Sequence, residues 1–414
     1  MMNHELEQYP DRSTPPGGGA RLSDVFTSES VRVESAYVHV PFCFHKCHYC
    51  DFYSIVDTAD RQEAFVSRLI GDLERWAPRL EGRLEAVFIG GGTPSLLTAE
   101  QLRVVLDGLD ELTDWRASAV EVTAECNPES LDRDKAAALK ALGVPRLSIG
   151  FQSLDDATLE LFGRVHSAED SFRAYDAARA AGIEHLNVDM IYAVPDQTAE
   201  SWERDLGRVL ALGPDHLSAY NLTFEEDTRF KRWLDRGRLE RSPEEVELTM
   251  FETTRRLTAE HGLDAYEISN HARPDEECAH NIGYWRNGAY VGIGPGAVSK
   301  VGHSRAGNPR GIAPYLRRVA AEGHATHWRE DPGPAARLAE TWWLGLRLAA
   351  GVDPEEARST AGADDEAAAA AVLLAEELQG HDLLERLPSG AYKLTRRGLP
   401  LADAVAKRFL ERLG

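Results

Sequence analysis

Three cysteines, Cys43, Cys47 and Cys50, fall inside the short stretch "VHVPFCFHKCHYCDF" (Val38–Phe52) of a chain that has five cysteines in 414 residues. A disulfide framework would spread its cysteines and use an even number. A tight cluster of thiols in a reducing compartment more often binds metal. A structural zinc site wants four ligands in a tetrahedron. His45 or His48 can supply the fourth, but both lie between cysteines, where ring closure is awkward, and no second cysteine pair follows at zinc-finger spacing. A cubane of four irons usually takes four thiolates. Three thiolates would leave one iron open to a small molecule. Gaps of three and two residues let the loop turn three sulfurs inward, and Phe42, Tyr49 and Phe52 stand ready to screen such a cluster from water. Cys126 reads as a buried thiol.

Other residues could serve the same site. "GGGTPS" (Gly90–Ser95) offers backbone a ligand can approach closely, although Thr93 or Ser95 could simply cap the next helix. Glu125 lies in "TAECNPES", Gln152 in "SIGFQSLDD", Arg164 in "LFGRVHS" and Asp189 in "NVDMIYAVPDQT". Each alone is consistent with a helix cap, a surface ion pair or a buried hydrogen bond. Together they suit a zwitterionic nucleoside: carboxylates accept from an ammonium or ribose hydroxyls, and a guanidinium matches a carboxylate at two points. "HNIGYW" (His280–Trp285) places an imidazole, an iron ligand, beside the flat rings of Tyr284 and Trp285, with Cys278 two residues ahead. Its plain alternative is a buried His–Asn pair under a packed Trp. "VGIGPGA" (Val291–Ala297) lacks a following helix, and Pro295 removes an N–H that phosphate would use, so it reads as a tight turn near the site.

The elements that must position these groups alternate. β-rich runs at 36–40, 86–90, 120–125, 146–150, 186–192 and 216–222 are separated by helix-period segments near 61–80, 98–112, 131–142, 155–181 and 199–212. In the last of these, Trp202, Leu206, Val209 and Leu210 share a face. Such alternation implies βαβ units and a parallel sheet. Six strands are too few for a closed eight-stranded barrel; an open partial barrel or a doubly wound sheet fits. The unusual polar and glycine residues sit at strand ends, where parallel α/β folds place their sites.

Residues 1–32, with "STPPGGGA", read as a disordered leader. The barrel unit spans 33–225, and 226–310 is an extension holding HNIGYW, with helices over 226–263 and a hairpin-like region containing "AYEISN" and "AYVGIGPGAVSK". Residues 311–414 form a helical, winged-helix-like α+β end, with a helix over 335–351 stopped by glycine and two strands around the Pro-Ser-Gly turn of 382–395. The formal charge of −22 argues against a broad nucleic-acid surface. No segment offers the ~20 apolar residues of a membrane span; "AAAAAVLLA" (Ala367–Ala375) is too short. With no secretory signal at the N-terminus, the expected location is the cytoplasm.

The loop's spacing, with an aromatic before the third cysteine, resembles that of the radical S-adenosylmethionine (SAM) superfamily. "YVHVPFC", "GGGTPS", "LSIGFQS", "GRVHS" and "DMIYAVP", in this order, resemble the oxygen-independent coproporphyrinogen III oxidase family over about residues 36–414. The resemblance implies a partial (β/α)6 barrel in which Cys43, Cys47 and Cys50 hold a 4Fe–4S cluster. It implies that SAM is bound by Tyr37, Tyr49, Gly91, Gly92, Thr93, Glu125, Gln152, Arg164 and Asp189. True oxidases of the family carry a fourth cysteine where this chain has Phe52, and a longer structured N-terminal segment. HNIGYW instead resembles the motif of the family's heme-chaperone branch. That branch implies a protein that binds heme, with His280 as a contact and Cys278 as a second candidate, and passes it to an acceptor hemoprotein such as a respiratory one. Oxidative decarboxylation of coproporphyrinogen III is the alternative.

Overall fold

The computed structural model describes residues 33–76 and 84–414; the expected leader and the end of the first helical segment lie outside them. Six strands alternate with helices: β1 (Ser35–Val40), α1 (Gln62–Trp76), β2 (Ala86–Gly91), α2 (Ala99–Thr113), β3 (Glu121–Cys126), α3 (Arg133–Ala141), β4 (Arg146–Gln152), α4 (Asp156–Phe162), α5 (Ala168–Ala180), β5 (His185–Tyr192), α6 (Ala199–Leu210) and β6 (His216–Asn221). Neighbouring strands pair in parallel from β1 through β6. Their side chains are almost all buried, as expected for strands covered on both faces. The result is an open, partial (β/α)6 barrel.

The single helical stretch expected over 155–181 is two helices. Gly163, at φ +74°, ends α4 in the left-handed region, and Ser167 with Asp170 forms a capping box that starts α5. The break leaves Arg164 on a loop between them.

Beyond β6 come α7 (Arg229–Asp235), α8 (Glu244–Glu260), the short antiparallel pair β7 (Asp264–Ala265) and β8 (Asn270–Ala272), and α9 (Ala279–Trp285). β8 runs antiparallel on β6. β9 (Tyr290–Ile293) was expected within a hairpin, but it adds to the other edge as a parallel partner of β1, with Ser35 opposite Tyr290. Its four residues are too few for periodicity to reveal the partner. The hairpin proper is β10 (Val298–Val301) with β11 (Ser304–Gly307).

α10 (Ile312–Glu322) packs Ile312, Tyr315 and Val319 into the barrel core. Buried Asp72 of α1 anchors it, accepting from Tyr315 Oη at 3.0 Å and from the Ala325 N–H at 3.3 Å. After β12 (Trp328–Glu330), a separate core gathers Leu338 and Trp342 of α11 (Pro334–Gly345), Ala357 of α12 (Pro354–Ala361), Leu374 and Leu378 of α13 (Asp365–Gly380), and Phe409 of α14 (Ala402–Leu413). The strands β13 (Leu384–Arg386) and β14 (Tyr392–Leu394) form the wing, paired antiparallel between α13 and α14. α11 stops at Gly345, short of the expected 351, because Leu346–Gly351 turns to bring Val352 against Tyr392. Among the described residues, no helix is long and apolar enough to cross a membrane.

The amphipathic face read in α6 is buried: Trp202, Leu206, Val209 and Leu210 all lie in the barrel core, and Trp202 Nε1 donates to Thr254 Oγ1 of α8 at 2.9 Å. Trp202→Ala should cost about 3–5 kcal/mol in denaturant unfolding and leave Thr254 without its donor.

Candidate functional site: a cysteine loop over one shared cavity

The cysteine loop follows β1 and is pinned on two sides. At its base, Cys43 N donates to Ile55 O at 2.9 Å and Ile55 N to Pro41 O at 2.7 Å, while Phe42 packs edge-on against Phe65. At its far side, His48 N donates to Phe162 O at 2.8 Å and His48 Nδ1 to Leu161 O at 2.9 Å, capping the end of α4. His48 Nε2 accepts from Arg229 at 2.8 Å, so neither ring nitrogen is left to complete a zinc site. Tyr49 screens the loop by packing edge-on against Phe162 and Phe230. Phe52 does not: it is 62% exposed.

The three sulfurs have different surroundings. Cys43 Sγ accepts from Thr93 Oγ1 at 3.6 Å, and burial raises its pKa. Cys50 is pushed up to about 11, chiefly by burial. Burial would raise Cys47 too, but the His45 hydrogen bond and the Arg164 guanidinium outweigh it and hold that thiol below its ordinary value.

The glycines of β2 lie against this loop. Gly92 N donates to Val40 O and Thr93 N to Phe42 O, both at 2.7 Å. A Cβ on Gly92 would stand 2.6 Å from Phe42 O, and one on Gly91, at φ +106°, 2.5 Å from the His39 ring. Thr93 does not cap a helix; Thr98 caps α2. Gly91 N instead donates to Glu125 Oε2 at 3.0 Å.

Glu125, Asp189 and Arg164 form the charged floor. Burial first, and then the Asp189 carboxylate, pushes Glu125 up to about 7. Burial also raises Asp189, against hydrogen bonds from Ser148 Oγ at 2.7 Å and Asn187 Nδ2 at 2.8 Å. Arg164 is half-buried. Its Nη2 donates to Gly150 O at 2.7 Å and Asn127 Oδ1 at 3.1 Å, its Nη1 to Cys47 Sγ, and its Nε has no partner. Gln152 sits at φ +67° in a bulge between β4 and β5. Tyr37 Oη donates to His39 Nδ1 at 2.9 Å, because His39 Nε2 donates to Tyr53 O.

HNIGYW forms α9. His280 is buried, with its ring stacked 4.8 Å from Phe88 and edge-on to Tyr284 at 4.7 Å. Burial pushes its pKa down to about 3, and Nδ1 has no partner. Cys278 is buried with its thiol 3.2 Å from Glu121 Oε1; the other oxygen of Glu121 accepts from Ala279 N at the start of the helix. Arg347 stacks on Trp285 at 4.6 Å. The expected plain thiol, Cys126, is buried and raised to about 12, first by burial.

Tyr37, Tyr49, Gly91, Gly92, Glu125, Gln152, Arg164, Asp189, the three loop cysteines, Cys278 and His280 all line one cavity of about 1880 Å³. Thr93 stands behind it, reaching Cys43. Sequence reading missed His39 and Asn127. His39 alternates with Tyr37 along β1, a period-two signal. Asn127 follows Glu125 by two residues and joins Arg164 to Thr93. Among the described residues, no three His, Cys, Asp or Glu side chains gather as a site for one metal ion. Three cysteine thiols lining one cavity are the donor set an iron–sulfur cluster uses. The unpartnered Arg164 Nε and the side-chain-free edge at Gly91 and Gly92 suit a small zwitterion beside it.

Residues 37–209 match the model of the radical SAM superfamily. The heme chaperone HemW of Bacillus subtilis (strain 168) is 33% identical over 382 residues, covering 92% of this chain and 100% of that protein. The chain belongs to the HemW family. HemW of Mycobacterium tuberculosis (strain CDC 1551 / Oshkosh) is 34% identical over 378 residues, 90% of this chain and 94% of that protein. Coproporphyrinogen III oxidase (HemN) from Escherichia coli shares the fold, with a TM-score of 0.78 at 24% identity over 92% of this chain and 91% of that one. Membership in the HemW family, with its radical SAM domain, implies a 4Fe–4S cluster and SAM.

Glu125 gives this site a pH signature. Between its ordinary value of 4.5 and about 7, the folded state keeps a proton that the unfolded chain has released. Stability therefore falls as pH rises through that window, and the loss is complete above it. Glu125→Gln should leave the melting temperature of the cofactor-free protein nearly unchanged at pH 5 and raise it at pH 8.

Proposed function

We propose that this protein binds heme and passes it to an acceptor hemoprotein, using a radical SAM domain in which Cys43, Cys47 and Cys50 hold a 4Fe–4S cluster. The observation that carries the reading is His280: a neutral imidazole with a buried, unpartnered nitrogen, on the wall of the same cavity as the cysteine loop. Iron binds neutral imidazole, so an environment that keeps the ring unprotonated prepares it as a ligand. Phe88, Tyr284 and Tyr37 supply ring surfaces around it. Cys278, turned toward Glu121, is the weaker heme contact.

The chain's own groups divide the work of holding cluster and SAM. Arg164 and His45 keep Cys47 ready as thiolate, and Thr93 supports Cys43. Gly91 and Gly92 give SAM a close backbone edge, with Glu125 and Asp189 as acceptors for its ammonium and hydroxyls. Arg164 and Gln152 face its carboxylate, while Tyr37 and Tyr49 close the sides. When bound, the cluster supplies one electron at a site from which Tyr49 and its aromatic neighbours exclude water. Phe52, where oxidases of the family carry a fourth cysteine, is exposed, which favours the chaperone over the oxidase. We place the protein in the cytoplasm, where its five free thiols would stay reduced, and its acceptor among hemoproteins such as those of respiration.

Anaerobically reconstituted protein should take up one hemin per chain, read as a Soret band. Absence of that band would defeat the reading, and turnover of coproporphyrinogen III with release of 5′-deoxyadenosine would replace it with the oxidase. Cys47→Ala should lose the cluster's brown colour. His280→Ala should keep it and weaken hemin binding by about tenfold.

A further inference from the structure

Asn127 follows the last residue of β3, and its backbone is fixed by the single turn that Pro128 begins. Its carbonyl oxygen accepts from Ser130 N and from Ser130 Oγ, both at 3.0 Å. The side chain lies between a carboxylate and a guanidinium. Burial would raise Glu129, but the hydrogen bond from His166, 3.2 Å away, and the Arg164 guanidinium outweigh it and hold that carboxyl below its ordinary value. Ionised Glu129 only accepts, and Arg164 only donates, so the amide can stand one way round. Its nitrogen donates to Glu129 Oε1 at 3.1 Å, and its oxygen accepts from Arg164 Nη2 at 3.1 Å. The same nitrogen donates to Thr93 Oγ1 at 3.0 Å. Because the Thr93 oxygen accepts there, its own proton is left for Cys43 Sγ, 3.6 Å away. Arg164 Nη2 is shared between Asn127 Oδ1 and Gly150 O, which sets the plane of the guanidinium, and Nη1 then reaches Cys47 Sγ at 3.6 Å. One amide settles the direction of two donors, each aimed at a different thiol.

We propose that Asn127 is a positioning residue for the iron–sulfur cluster: it aims the Thr93 hydroxyl at Cys43 and the Arg164 guanidinium at Cys47, and so raises the cluster's reduction potential. The proposal rests on the reading that these cysteines hold the cluster. Reduction adds one negative charge, part of which falls on the coordinating sulfurs. A donor hydrogen-bonded to sulfur stabilises the reduced cluster more than the oxidised one, so reduction becomes easier. Glu129 carries the opposite charge, and Asn127 and His166 each occupy one of its oxygens. Asn127→Ala would leave Arg164 Nη2 the Gly150 carbonyl alone and free Thr93 to turn away from the sulfur. His45, whose Nε2 lies 3.7 Å from Cys47 Sγ, makes no bond to Asn127, so its contribution stays constant across the variants.

The test is a reductive titration of the anaerobically reconstituted full-length protein, without SAM or hemin, followed by the electron paramagnetic resonance signal of the reduced cluster. Asn127→Ala with wild-type iron content should lower the midpoint potential by about 59 mV, a tenfold loss in the one-electron reduction equilibrium. Thr93→Val removes one donor and keeps the shape of the side chain; it should lose about threefold. Thr93→Ser keeps the hydroxyl and should stay within about twofold of the wild type. An unchanged potential in iron-loaded Asn127→Ala overturns the proposal, as does an equal fall in Thr93→Val and Thr93→Ser. If Asn127→Ala takes up no cluster, the Thr93 pair decides, and an unchanged potential in Thr93→Val overturns the proposal. A wild type that takes up no iron would overturn the cluster reading itself, and the tuning of its sulfurs with it.

Discussion

Two backbone hydrogen bonds, from Gly92 N to Val40 O and from Thr93 N to Phe42 O, stitch the cysteine loop to the second strand. They require the two backbones to lie closer than a side chain at position 92 would permit. That contact sets Gly91 beside Glu125 and Thr93 beside Cys43. The thiols, the glycine edge and the carboxylate floor therefore share a single geometric origin. Widening it by one methyl group would move three kinds of chemistry at once.

The floor is also an electrostatic compromise. Burial raises the proton affinity of both Glu125 and Asp189, and the Asp189 carboxylate raises that of Glu125 further. Arg164 lowers the cost on the Asp189 side and draws Cys47 toward its thiolate, so one half-buried cation serves a carboxylate and a sulfur. Buried charge arranged this way destabilises the empty protein and favours a ligand that carries both signs. His280 lies outside this field: its ring is kept neutral by burial alone.

Much of this was legible in the residues. The six strands and the helices between them follow from alternation strong enough to survive a poor estimate of helix ends, and the loop spacing singled out three thiols that line the cavity. What escaped has physical reasons. β9 is four residues long, and its partner β1 lies some 250 residues earlier, so no local pattern names it. Phe52 looked like a shield because composition reveals a ring but not whether it faces solvent. His39 and Asn127 stand on a strand and a turn as ordinary polar residues; only their hydrogen bonds give them meaning. The break at Gly163 was hidden because "FGRVHS" supplies helix-compatible residues on both sides of a single left-handed glycine.

The cysteine loop is fastened at its base by the Cys43–Ile55 pairing and at its far side by the end of α4. The conformational entropy of closing it is therefore lost when the barrel folds, before any iron arrives. A loop ordered in advance would give up little freedom on taking the proposed cluster, so more of the thiolate–iron bonding would be left as net affinity. Such a loop would also keep its shape without the cluster, because the bonds that fasten it are the protein's own.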